Sequence, residues 1–228
     1  MRWLWENLDL VLGLSLQHVR LSAVPIIVGF IACIPLGWLA NRFRVTRSIQ
    51  LTLFGVLFTI PSLALFVTLP SILGTKILDP INVVVALTIY AIAIMVRGAA
   101  DAFDSVPRDV IQSATAVGFS PISRFWKVEF PLAGPVLLAN LRVVSVTTVS
   151  LLSVGALVGN GALGYLFLNG YQRNFPTEVM IGIVFTLIIA VAFDQILVGM
   201  GMLLMPWSRG AQRSVASPVG KVRINALS

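Results

Sequence analysis

Three charged residues, Arg97, Arg142 and Asp194, stand inside otherwise apolar stretches of this 228-residue chain. A charge at membrane depth is costly, so such residues are buried in protein, paired, or set beside water. At 1.5 Å of rise per helical residue, Arg142 falls ~10 Å from Pro135 and Asp194 ~17 Å from Met205, depths close enough for the two to meet. The first expectation is a structural ion pair between Arg142 and Asp194, with a place in a solute path as the alternative. Ser145, Thr147, Thr148, Ser150 and Ser153 follow Arg142 closely. Small hydroxyl residues of this kind favour close helix packing and can also line a polar path.

Catalytic chemistry needs a clustered acid–base or nucleophile set, or metal ligands. The chain has one histidine, His18, and one cysteine, Cys33, far apart in sequence. Cys33 lies in an apolar run and reads as a buried, inert thiol, with neither a disulfide nor a zinc site available. His18, at the entrance to the first apolar run, reads as an interfacial residue. Asp101, Asp104 and Asp109 form the nearest acidic cluster, and their place on a linker reads as a solvated helix surface. No metal site is expected, and a membrane-embedded lipid enzyme is a distant alternative.

The elements that carry these residues follow from composition. With 57% hydrophobic and 11% charged residues and a mean hydropathy of +0.95, the chain is far more apolar than an ordinary soluble domain. Leu21 to Ala40 is uncharged for 20 residues and Ile49 to Leu73 for 25, each enough to cross a hydrocarbon core of about 30 Å as a helix. Ile81 to Ala100, Pro135 to Val158 and Val179 to Met205 supply three more spans. Lipid offers no partner to backbone N–H and C=O groups, so every crossing must be helical. The fold class is therefore all-α: a polytopic membrane protein with five transmembrane helices in one domain over 1–228. Residues 1–17, with Trp3 and Trp5, read as a surface helix, 18–205 as the membrane core and 206–228 as a cytoplasmic tail.

Basic residues orient the spans. With the N-terminus outside, the inner side holds Arg42, Arg44, Arg47, Arg108, Arg124, Lys127, Arg209, Arg213, Lys221 and Arg223. The outer side holds only Arg2, Arg20, Lys76 and Arg173. The positive-inside rule then puts the linker between spans three and four, and the C-terminus, in the cytoplasm. The net charge of +7 is explained by topology, and no basic patch with interleaved aromatics suggests nucleic acid.

That linker contains QSATAVGFSPISRFWKVEFP, Gln112 to Pro131. Gln112-Ser113-Ala114 opens it, Gly118 stands four residues after Ala114, and Val128-Glu129-Phe130-Pro131 starts ten residues beyond the glycine. A short amphipathic helix, a break and a second short helix are expected, with Gly118 supplying a positive φ or a close approach and Pro121 suiting the first turn of the second helix. Ile122, Phe125, Trp126 and Val128 are expected to face a partner groove or the bilayer edge, leaving Arg124, Lys127 and Glu129 in water.

The segment resembles the cytoplasmic coupling segment of ABC-importer permeases, with Gln112 and Ser113 in place of the family's leading Glu and middle Ala. Thr59-Ile60-Pro61-Ser62-Leu63-Ala64-Leu65-Phe66 and Gly159-Asn160-Gly161-Ala162-Leu163-Gly164 are similar to stretches of permeases for osmoprotectants such as glycine betaine, carnitine and choline. The resemblance covers about His18 to Met205. It implies docking of a cytoplasmic ATPase at Gln112, Ser113, Ala114, Gly118, Pro121, Phe125, Val128, Phe130 and Pro131. It also implies a second permease subunit, identical or not, a pair of ATPases that use the ATP, and an extracytoplasmic solute-binding protein, in an inner membrane. No cofactor is expected on the chain itself. A permease for amino acids such as methionine is the runner-up, because fold does not specify cargo.

For the path, Pro61 removes a helical hydrogen bond and bends the second span, so Pro61 and Ser62 join Ser145, Thr148 and Ser153 as candidate lining residues. A passive packing kink is the alternative for Pro61. Quaternary ammonium groups favour aromatic faces, and Tyr90, Trp38 and Phe66 are candidates for that contact. Gly159 to Gly164 lacks the Lys and Ser/Thr of a phosphate loop and reads as a flexible connector or re-entrant turn near the exit.

Overall fold

A computed structural model describes residues 2–207, so most of the expected tail, with Arg209, Arg213, Lys221 and Arg223, lies outside the described residues. Those described form helices and short connections, with no strand among them. In chain order the helices are α1 (Arg2–Glu6), α2 (Leu8–Arg42), α3 (Arg44–Thr59), α4 (Ser62–Leu73), α5 (Pro80–Asp104), α6 (Arg108–Ala116), α7 (Pro121–Arg124), α8 (Phe130–Val154), α9 (Gly164–Gln172) and α10 (Pro176–Leu204).

Four helical stretches are long and apolar enough to cross a bilayer, and a fifth crossing exists if α3 and α4 are taken as one broken span. The break is sharper than the bend expected of Pro61: the two helices meet at 99°. Ile60 and Pro61 are extended, with ψ 128° and 132°, and Pro61 has no N–H to continue the helix. The freed carbonyl of Ile60 is taken by the hydroxyl of Tyr90 on α5. In place of one 25-residue span stand α3, which starts earlier at Arg44 and has 16 residues, and α4 with 12, ~24 Å and ~18 Å, so neither crosses alone.

The first span, α2, is also longer than expected. It starts at Leu8 and runs unbroken for 35 residues, so no break separates the surface segment from the membrane core at His18. His18 is fully buried rather than interfacial, and its Nε2 lies 2.9 Å from the carbonyl of Val149 on α8. A carbonyl only accepts, so Nε2 carries the proton. Of the two tryptophans assigned to the surface, Trp5 is exposed while Trp3 packs on Phe175 with ring centroids 6.1 Å apart.

Packing centres on α5. In its most apolar window 61% of residues are buried, against 17% in α10, so α5 is the post of the bundle and α10 turns most of its surface outward. Small residues bring α2 and α5 together: a Cβ placed on Gly29 would sit 2.7 Å from that of Ala91, and Gly37 meets Ala99 in the same way. Both pairs advance by eight residues, so the two helices run parallel with their backbones in close approach. Asp79 caps α5 by accepting from the N–H of Ile81, with Pro80 at the first helical position.

The stretch from Gly159 to Gly164 is not a flexible connector. Asn160 to Gly164 are buried, and Asn160 donates to the carbonyl of Leu78 at 2.8 Å. This closed turn joins the end of α8 to α9.

Candidate coupling segment and solute path

The linker between α5 and α8 folds from its own turn chemistry. Helix α6 ends at Ala116, and Gly118 takes φ +97°, a region closed to side chains with a Cβ. Nothing lies within 4 Å of a Cβ built there, so backbone conformation rather than close approach requires the glycine. The Gly118 N–H donates to Thr115 and that of Phe119 to Ala114. Ser120 accepts from the N–H of Ser123 and Pro121 opens α7, a cap followed by a residue whose fixed φ suits a first turn.

The second short helix does not end where the sequence suggested. A π-turn over Phe125–Glu129 carries α7 directly into α8, so helix runs continuously from Pro121 to Val158. Of the two short helices in the linker only α6 is free-standing, and motion of α7 is shared with the fourth span. Pro131 therefore lies inside this continuous helix, directly after the π-turn, and does not close the segment.

Burial divides the expected docking residues into two groups. Gln112, Ser113, Gly118 and Pro121 are exposed, and Ala114, Val128, Phe130 and Pro131 are half-buried. Phe125 is only 7% exposed, and its ring touches those of Trp38 on α2 and Phe103 on α5 at 5.7 and 5.5 Å, with Trp126 and Phe130 completing the cluster. Phe125 therefore cannot present a face to a partner. It anchors the segment to two spans instead. Glu129, expected in water, is buried too, because it accepts from Nε of Arg124 at 2.7 Å. Arg124 also donates to the hydroxyl of Thr115 at 2.7 Å, tying α7 back to α6. The outward apolar residues are Val117 (80% exposed), Ile122 (73%) and Trp126 (57%). The sequence pointed to Ile122 and Trp126 but missed Val117 and the clamping role of Arg124. That role needs two partners from either side of the turn, a relation no linear spacing displays.

A second clamp joins the start of α3 to the end of α5. Arg47, near the start of α3, reaches Asp101 at 3.1 Å and Asp104 at 3.3 Å on α5, so two of the three linker aspartates hold a helix pair as well as facing solvent. Deeper in, Arg142 on α8 and Asp194 on α10 form a two-pronged contact, Nε to Oδ1 at 2.6 Å and Nη2 to Oδ2 at 2.9 Å. Fork-to-fork geometry of this kind fixes the register of two helices. Among the described residues, no group of three or more His, Cys, Asp or Glu is placed to hold a metal.

The expected path residues do not share a surface. Ser145 and Thr148 are buried, and Ser145 donates to the carbonyl of Arg142. At 100° per residue the opposite face of α8 carries Val143, Val146 and Ser150, all exposed, with Thr147 half-buried. Ser153 lines a separate cavity among α8, α9 and α10. Pro61 is exposed and Ser62 half-buried at the α3–α4 break. Of the aromatics, Tyr90 and Phe66 are buried and Trp38 packs on Phe125, so none offers an open face to a solute. The sequence overlooked Phe54 and Phe58 of α3, which line a cavity of about 460 Å³ with Arg97, Val143 and Thr147.

Comparison with known proteins agrees with this arrangement. The chain is 28% identical to the osmoprotectant import permease protein OsmW of Salmonella typhimurium, over 90% of this chain and 96% of that one. It is 27% identical to the choline transport system permease protein OpuBB of Bacillus subtilis, over 79% and 82% of the two chains. In fold it resembles a chain of the MetNI methionine ABC transporter in an inward-facing conformation, with a TM-score of 0.68, 23% identity, and coverage of 85% of this chain and 97% of that one. These relatives are transport proteins, not enzymes. The model of the family described as the inner membrane component of binding-protein-dependent transport systems matches residues 20–204, and the chain belongs to that family.

Proposed function

We propose that this chain is the permease subunit of an ATP-driven importer for a quaternary ammonium osmoprotectant such as glycine betaine, carnitine or choline. The observation that carries the reading is the likeness to osmoprotectant and choline permeases over nearly their whole length, joined to a rigid segment that presents Val117, Ile122 and Trp126 outward. A pair of cytoplasmic ATPases docks on α6 and α7, a second permease subunit completes the path, and a solute-binding protein delivers cargo from the outer side. The ATPases use the ATP. Because α7 is continuous with α8 and Phe125 grips α2 and α5, displacement of the segment moves three spans as one body.

The excess of basic residues on one side supports an outer N-terminus and a cytoplasmic C-terminus. A tag beside Lys76 is expected outside and one after Ser228 inside, and an outer Ser228 would invert the placement of the docking segment. The cargo is tested by labelled uptake into vesicles holding the complete complex, comparing glycine betaine and choline with methionine. Transport of methionine and of neither quaternary amine would retain the permease and remove the osmoprotectant.

A further inference from the structure

We infer that Arg97 is a specificity-determining residue that takes the carboxylate of a zwitterionic quaternary ammonium solute, so that this permease favours glycine betaine or carnitine over choline. The inference rests on the osmoprotectant reading and narrows it.

Arg97 lies on α5 seven residues past Tyr90, ~10 Å further along the helix. It is exposed within the cavity bounded by α3, α5 and α8, and no hydrogen bond or ion pair joins its guanidinium to another described residue. The carboxylates one and two turns further along α5, Asp101 and Asp104, are engaged by Arg47. None of the residues lining the cavity is acidic. An unpaired guanidinium in apolar surroundings calls for an anionic partner, and its planar fork matches a carboxylate.

The rest of the cavity suits the other half of such a solute. Phe54 and Phe58 lie one helical turn apart on α3 and both line it. Phe58 is held edge-on to Tyr90, with ring centroids 6.0 Å apart and planes at 82°, and Tyr90 is itself fixed by its hydroxyl on the carbonyl of Ile60. A preset aromatic face attracts a trimethylammonium group. The cavity, at about 460 Å³, falls within the size common for small-molecule sites, ~300–1,000 Å³. Aromatic faces sit toward the α3–α4 break and the guanidinium toward the inner end, so the two poles of a betaine find complementary groups along one line. Choline has the first pole only and meets an uncompensated like charge at the second.

The test uses the complete complex in vesicles with saturating binding protein, measuring kcat/KM for labelled glycine betaine and choline. Arg97→Gln is expected to lower the glycine betaine value about tenfold or more, the effect of losing a charge-assisted contact, with choline unchanged or raised. Arg97→Lys keeps the charge but loses the fork and is expected to give an intermediate ratio. Co-purification of the ATPase and basal ATP hydrolysis are followed in parallel to establish assembly. Should Arg97→Gln not assemble, the ratio for Arg97→Lys decides alone, and an unchanged ratio overturns the inference. Equal losses for both solutes overturn it as well, as expected if Arg97 serves a lipid phosphate or a helix contact. If the unsubstituted complex carries choline but not glycine betaine, the osmoprotectant reading stands and the role of Arg97 falls; if it carries neither, both fall. If it carries glycine betaine alone, the same tenfold loss in an assembled Arg97→Gln complex, with partial recovery in Arg97→Lys, supports the inference, and any smaller loss defeats it.

Discussion

The candidate coupling segment and the broken α3–α4 arm are both joined to α5, by contacts that differ in their exposure to solvent. The segment is held by a buried ring cluster around Phe125 and by Arg124, which binds Glu129 and Thr115. In the arm, the α4 half packs Phe66 and Leu69 against Val83, Ala86 and Leu87 of α5, while the α3 half is tied by Arg47, whose partners Asp101 and Asp104 are more than half exposed, by Phe58 on Tyr90, and at the break by the Tyr90 hydroxyl on Ile60. Apolar burial is dense and shape-specific, whereas an exposed ion pair is screened and weak. The segment is packed into the bundle, whereas the α3 half of the arm depends more on contacts open to solvent.

The largest expected effect breaks the firmer attachment. Phe125→Ala removes a ring from between α2, α5 and the segment and is expected to cost about 3–5 kcal/mol, read as a lowered Tm of the detergent-purified protein with loss of uptake. A shift no larger than that of an exposed-residue control would show that the cluster does not hold the segment. Gly118→Val comes next, since a β-branched residue at φ +97° stores about 1–3 kcal/mol of strain. Membrane insertion is expected to persist while ATPase co-purification and uptake fall, and full co-purification with normal uptake would remove α6 and α7 from the docking site.

On the arm the effects are smaller. Tyr90→Phe keeps the ring against Phe58 and deletes only the bond to Ile60, for about 1 kcal/mol. Uptake is expected to change more than Tm, the reverse of the balance in Phe125→Ala; matching shifts in both would erase the distinction between the two regions. Arg47→Ala is the mildest, at most about 1 kcal/mol for a pair this open to solvent. Its signature is that added salt, which screens the pair in the parent, no longer alters the protease sensitivity of the α2–α3 connection. A salt response identical to the parent's would mean that the pair contributes nothing there.

Much of the segment was legible in the sequence. Gly118 stands out because only glycine adopts its backbone freely, and Ser120-Pro121 announces a helix start by local hydrogen-bond chemistry. Apolar run length likewise revealed the crossings, apart from the two ends of α2 and the depth of the break at Pro61. The facing of side chains was less accessible. Ser145 and Thr148 have the composition of a polar path yet face inward, while Val143 and Val146, apolar by type, face the open side. Phe125 looked like a docking residue because an amphipathic pattern marks an apolar face without saying whether its own bundle or a partner covers it.

The sequence by itself determined what depends on neighbours in the chain: all-helical crossings, forced by backbone groups that lipid cannot satisfy, the turn at Gly118 and the break at Pro61. Only the tertiary structure decided what depends on neighbours across it. It joined Arg142 to Asp194, gave Asp101 and Asp104 to Arg47, buried His18 against Val149, and left Arg97 alone beside Phe54 and Phe58. Arg142 and Arg47 find partners 52 and 54 residues away in sequence, so whether a charge is paired follows from helix rotation and depth, and those are set by small-residue packing such as Gly29 on Ala91, not by the charge's own surroundings in the chain.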